Sequence, residues 1–134
     1  MTILASILIA LLGAVALIHG LWAIGFWFPI RDEARLVRAV VGAKDASRMP
    51  GPIPCSFVAA ALLVVIFALL SPAYWVRDLV LSIAAVAFIL RGFLAWVPMW
   101  RRMTPQEPFA TLDRYAYGPL CLVLGMGIVV LVLA

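Results

Sequence analysis

Charge is what this chain has least of. Only 12% of its 134 residues are Asp, Glu, Lys or Arg, while 67% are hydrophobic and the mean hydropathy is +1.19. Soluble domains run at about a quarter charged and about half apolar. A chain this short has too little interior volume to hide so much apolar surface from water. The composition therefore excludes an ordinary aqueous domain and leaves lipid as the solvent. The net charge of +4 would suit nucleic acid, but the basic residues fall in two short loops rather than along one face. They read as a topology signal, and no nucleic-acid partner is expected. Two cysteines, Cys55 and Cys121, are too few for a disulfide framework and are expected as small packing residues. A zinc site takes about four ligands, and with His19 the only histidine and no Cys pair at ligand spacing, neither a metal nor another cofactor is expected. There is no Gly-rich phosphate loop, Ser-His-Asp set or paired-carboxylate motif. The opening MTILASILIALLG lacks the positive region and cleavage site of a signal peptide, so it is expected to stay as a span.

What is present is long apolar runs, and spanning the hydrocarbon takes about 20 such residues in a helix. The runs predict spans at about 3–28, 53–70, 79–97 and 118–134, stopped by Pro29, Ser71-Pro72 and Pro98. The predicted fold is all-α: a single domain, 1–134, forming an antiparallel four-transmembrane-helix bundle. Loops 29–52 and 98–117 hold Arg31, Arg35, Arg38, Lys44, Arg48, Arg101, Arg102 and Arg114, whereas the loop between the second and third spans holds only Arg77. Eight against one puts both basic loops in the cytoplasm and both termini outside. A faint repeat is also visible: FWFPIR answers AWVPMWR, and GPIPC answers GPLC. It fits a parallel duplication about the membrane normal, or prolines and glycines simply collecting at span ends.

Few residues offer chemistry. His19 lies nine residues before Phe28, about 13 Å into the first span, and Arg91 seven before Pro98, about 10 Å into the third. An arginine within a span normally faces a bundle interior or wet cavity, so the two at one depth predict a shared polar cavity opening to the cytoplasm. The alternatives are Arg91 snorkelling to the headgroups and His19 as neutral packing glue between helices. Asp113, Tyr117 and Cys121 fall at i, i+4 and i+8, one helical face, with Asp113 able to reach Arg91, Arg101, Arg102 or Arg114; the alternative is an interfacial Asp-Arg pair within an aromatic belt. Pro119 should distort the helix beside Tyr117 by removing a backbone donor. In the first loop, RDEARLVRAVVGAK reads as an amphipathic helix, with Arg31, Arg35 and Arg38 opposite Leu36, Val37, Val40 and Val41; it suits an anionic leaflet or serves only as a topology anchor.

The HGLW of the first span, LRGF at Leu90–Phe93 and FATLDRYAYGPLCLVLG at Phe109–Gly125 together resemble a family of small four-span bacterial membrane proteins classed as a domain of unknown function. The matching positions are His19, Trp22, Arg91, Phe109, Leu112, Asp113, Arg114, Tyr117, Pro119 and Cys121. The resemblance covers essentially the whole chain and implies a bacterial inner-membrane location, but no activity. The expected function is binding of a small anionic or lipid-headgroup ligand, or a partner, in a cytoplasm-facing cavity lined by His19, Trp22, Arg91, Asp113, Arg114 and Tyr117. Two alternatives stand beside it: an intramembrane enzyme with His19 as general base, and a small proton-coupled transporter acting as an oligomer. The lipid bilayer is the expected partner, with a homo-oligomer or a membrane protein as further candidates.

Overall fold

The computed structural model describes all residues from Met1 to Ala134 and contains helices but no strands. Four long helices organise it: α1 (Ile3–Ala23), α3 (Pro52–Leu70), α4 (Trp75–Leu94) and α7 (Gly118–Leu133). Short helices α2 (Glu33–Val40), α5 (Pro98–Met103) and α6 (Phe109–Leu112) fill the two basic loops, and α6 runs into α7 through a π-helical turn, Asp113–Tyr117.

Local signals explain the boundaries. Thr2 caps α1, its Oγ1 accepting from the Ala5 N–H at 3.2 Å. The helix ends five residues short of the expected Phe28. Gly25 adopts φ +79°, and the N–H groups of Gly25 and Phe26 fold back to the carbonyls of Trp22 and Leu21. That is the Schellman arrangement, in which a left-handed residue just past the helix satisfies its last carbonyls; composition stayed apolar while backbone geometry had already stopped the helix. Pro52 and Pro54 fit the first turn of α3, where a missing N–H leaves nothing unpaired. Helix α4 is shifted toward the N-terminus relative to the expected 79–97, taking in Arg77 and Asp78, which pair at 2.7 Å.

The helices pack as two pairs, α1 on α3 and α4 on α7, joined by smaller α3–α4 and α1–α7 contacts. Leu8, Leu12, Ala16, Leu62, Val65, Leu69, Leu81, Ala85, Leu124 and Ile128 form the core between them. The α4–α7 pair approaches closely because its contact is made at glycines: a Cβ at Gly125 would lie 2.7 Å from Ile89 Cγ1, and one at Gly118 2.8 Å from the Ala95 Cβ. Small residues at a helix contact let two backbones approach closely without a side-chain clash.

Outside this core the surface is apolar. Phe57, Leu63, Phe67, Ile83, Val86 and Leu90 are among many large hydrophobics left exposed, far more than a water-facing monomer shows. Helices Ile3–Ala23, Pro52–Leu70 and Phe109–Leu133 are long and apolar enough to cross a membrane. The chain has the build of a membrane-embedded protein.

The first loop forms the expected amphipathic helix, α2, with Asp32 Oδ1 accepting from the Arg35 N–H at 2.9 Å as its cap. Its apolar face does not lie on a leaflet. Leu36 and Val37 are fully buried against Trp22, Met49 and Cys55, so protein rather than lipid covers this face, and of the two readings the leaflet one is not needed. The two basic loops also meet: the Lys44 N–H donates to the Met103 carbonyl, Gln106 N–H to Gly42, and Gln106 Nε2 to Ala46. Both therefore lie at the same end of the molecule.

Candidate functional site

Arg91 sits in the last turn of α4, three residues before its end, about 4.5 Å along the axis. Its Nη2 donates to Asp113 Oδ1 at 2.6 Å, and the Trp100 indole donates to Asp113 Oδ2 at 2.8 Å. The guanidinium also lies 5.3 Å from the Trp100 ring centroid, within range of a cation–π contact. Asp113 is 1% exposed, whereas the Arg91 side chain is 33% exposed. A buried carboxylate is tolerated only when paired and hydrogen-bonded, and here both oxygens are engaged by residues of α4 and α5. The cluster clamps the ends of three helices together, and of the four arginines that Asp113 was expected to be able to reach, it pairs with Arg91. Arg91 thus faces the protein rather than snorkelling free.

The π turn is what aims Asp113 inward. Pro119 has no N–H, so the regular ladder breaks there, and the Gly118 N–H reaches back five residues to the Asp113 carbonyl. Such single-turn π insertions re-aim side chains and recur at functional positions. The distortion falls before Pro119 and displaces the simple i, i+4, i+8 face of Asp113, Tyr117 and Cys121. Tyr117 turns to α2, its hydroxyl donating to the Ala39 carbonyl at 2.9 Å, with Phe109 5.8 Å away ring to ring. Arg101 Nη1 fastens the same end, donating to the Ala95 and Ala110 carbonyls. Arg91 Nη1 and Arg114 Nε are buried yet have no acceptor.

His19 and Trp22 lie elsewhere. His19 is four residues before the end of α1, nearer the helix end than counting from Phe28 implied. Its Nδ1 bonds to the Val15 carbonyl one turn below, at 2.9 Å, and its ring is 4.9 Å from Trp22. Trp22 donates its own N–H to the Phe28 carbonyl at 2.7 Å. The two line a cavity of about 140 Å3 with Val40, Val41, Met49, Pro50, Pro54, Cys55 and Val58. None of Arg91, Asp113, Arg114 or Tyr117 borders it. The single shared cavity expected from depth is therefore two sites: an arginine–carboxylate–tryptophan cluster joining α4, α5 and the π turn, and a mostly apolar chamber between α1, α2 and α3. Depth arithmetic placed both groups near the same end but carried no information on which side of each helix faces which neighbour. Trp100, Met49 and Cys55 were missed as lining or clamping residues. Neither Trp100, 13 residues from Asp113 in sequence, nor Met49 and Cys55 carried a sequence signal for these roles.

The family model for a protein of unknown function (DUF3995) matches residues 12–128, a stretch containing every residue of both sites. No curated protein and no solved structure matches the chain.

Proposed function

The chain belongs to the DUF3995 family of proteins of unknown function, and on that premise we propose that it is a four-span inner-membrane protein that holds an anionic lipid headgroup at its basic end. Helix α4, with 20 residues, is about 30 Å long and supplies the fourth crossing. Pairing with Asp113 lowers the cost of Arg91 within it, and Arg77 and Asp78 sit at its opposite end, in the interface. The lysine and arginine imbalance between the loops supports an N-out, C-out orientation with both basic loops cytoplasmic. Their hydrogen bonds to one another agree with a common side.

The observation that carries the ligand reading is that two guanidinium nitrogens at the basic end, Arg91 Nη1 and Arg114 Nε, are buried without an acceptor; Arg77 Nε, at the other end of α4, is also buried without one but has the Asp78 carboxylate beside its guanidinium. Along the chain from Arg91 to Arg114, the arginines Arg91, Arg101, Arg102 and Arg114 outnumber the carboxylates Glu107 and Asp113, and Asp113 is already committed. A phosphate headgroup at this end balances the excess charge and, once these side chains swing outward, supplies the missing acceptor. The enzyme reading with His19 as general base draws no support, because no carboxylate orients the ring or borders its cavity.

Mass spectrometry of the protein released from vesicles of mixed phosphatidylglycerol and phosphatidylcholine tests this. The wild type should retain phosphatidylglycerol preferentially, and Arg114→Gln should reduce retention about fivefold, the value of about 1 kcal/mol for one basic group at an anionic leaflet. Equal retention of the two lipids, or no change in Arg114→Gln, contradicts the reading.

A further inference from the structure

We propose that the His19 cavity is a second, independent site, built for an uncharged ring-sized molecule carrying a hydroxyl donor, of the phenol class. The lining sets the chemistry. A carbonyl can only accept, so the bond to Val15 places the proton of neutral His19 on Nδ1 and leaves Nε2 a lone-pair acceptor with no protein partner. Trp22 spends its N–H on Phe28 and presents only its ring. The other lining residues are Val40, Val41, Met49, Cys55, Val58 and two prolines. No residue there carries a fixed charge. With His19 among the lining residues and its Nδ1 turned to Val15, the site we propose uses Nε2 as its one strong acceptor, with an aromatic wall and aliphatic surface around it.

Size and access narrow the occupant. The volume of about 140 Å3 is close to the roughly 150 Å3 of an engineered apolar cavity that accepts benzene. Trp22, Met49 and Cys55 are buried and form the floor, while Pro50, Pro54 and Val58 are exposed and form the rim. A single aromatic ring fits, with its hydroxyl on Nε2. An anionic ligand would meet no fixed cation, and burying a charge unpaired is heavily unfavourable; this separates the cavity from the arginine cluster. A ring without a donor would fill the space but leave Nε2 unsatisfied.

Because His19 is the only histidine, its imidazole nitrogen signals are unambiguous in an NMR spectrum of the labelled protein. Titration with phenol should shift the Nε2 signal saturably, while toluene and benzoate should not. Val41→Phe, which fills the chamber, should abolish the response. His19→Leu should weaken phenol binding, read from the Met49 methyl signal, about three- to tenfold, as expected for one neutral hydrogen bond. No saturable shift with phenol, an equal shift in Val41→Phe, or a larger response to benzoate than to phenol overturns the proposal. None of these outcomes bears on lipid retention at Arg114, so the two sites stand or fall separately.

Discussion

Replacing Arg91 by methionine leaves the Asp113 carboxylate in place with one partner instead of two. That carboxylate is 1% exposed, so water cannot take over the role of the guanidinium. Removing one partner of a buried ion pair typically destabilises by about 3–5 kcal/mol, mostly through the uncompensated charge that remains. Arg91 is itself one-third exposed, and solvent screening places the expected loss at the lower end, about 3 kcal/mol. Asp113→Asn acts differently. It removes the charge, keeps an acceptor for Trp100 and leaves a guanidinium that water can reach, for an expected loss of about 1–2 kcal/mol. The double variant should therefore be more stable than Arg91→Met alone by about 1–2 kcal/mol, because it no longer buries an unpaired carboxylate. Denaturant unfolding in micelles, followed by circular dichroism, measures all four proteins. Arg91→Met within about 0.5 kcal/mol of wild type, the range of an ordinary surface change, would refute the reasoning, as would a double variant whose loss equals the sum of the singles.

Other perturbations report on the remaining contacts. Tyr117→Phe loses the bond to the Ala39 carbonyl; a cost of about 1 kcal/mol should appear as faster amide exchange across Glu33–Val40. Leu36→Ala empties a fully buried site beneath α2 and should destabilise by about 2–5 kcal/mol, with proteolysis in the first loop as the readout. Gly125→Ala puts a methyl 2.7 Å from Ile89 Cγ1 and 3.0 Å from the Ala85 carbonyl, and should lower the unfolding free energy by about 1–3 kcal/mol. Gly13→Ala meets nothing within 4 Å and should be neutral or stabilising by about 0.5–1 kcal/mol, the helical preference of alanine over glycine.

Much of this architecture was legible in the residues, for identifiable reasons. Long apolar runs and the prolines between them locate helices, since each acts within a few residues of its own position. That Asp113 would pair with an arginine was also foreseeable, because a carboxylate near a helix end needs a partner, but the residues alone did not choose Arg91 from the four within reach. What sequence did not convey was rotation about helix axes. His19 and Arg91 lie near comparable helix ends yet face different neighbours, and the π turn before Pro119 alters the facing of Asp113 and Tyr117 by means no periodic count anticipates. The end of α1 was masked for a related reason: Gly25 stops the helix through backbone geometry while Phe26, Trp27 and Phe28 keep the composition apolar. The α2 face was recognisably amphipathic, but its partner proved to be protein, a tertiary fact that the same pattern of Leu36, Val37 and Val40 cannot distinguish from lipid.

The claim on which the functional account turns is that α4 crosses the membrane, so that the basic loops lie together in the cytoplasm. It is tested most directly by single cysteines placed at Ser71 and Arg102, in a chain whose Cys55 and Cys121 are replaced by serine, probed in intact cells with a membrane-impermeant maleimide. The account predicts that Ser71→Cys is labelled from outside and that Arg102→Cys is labelled only after the cells are opened. Labelling of both positions from the same side, or of Arg102→Cys alone from outside, would contradict it.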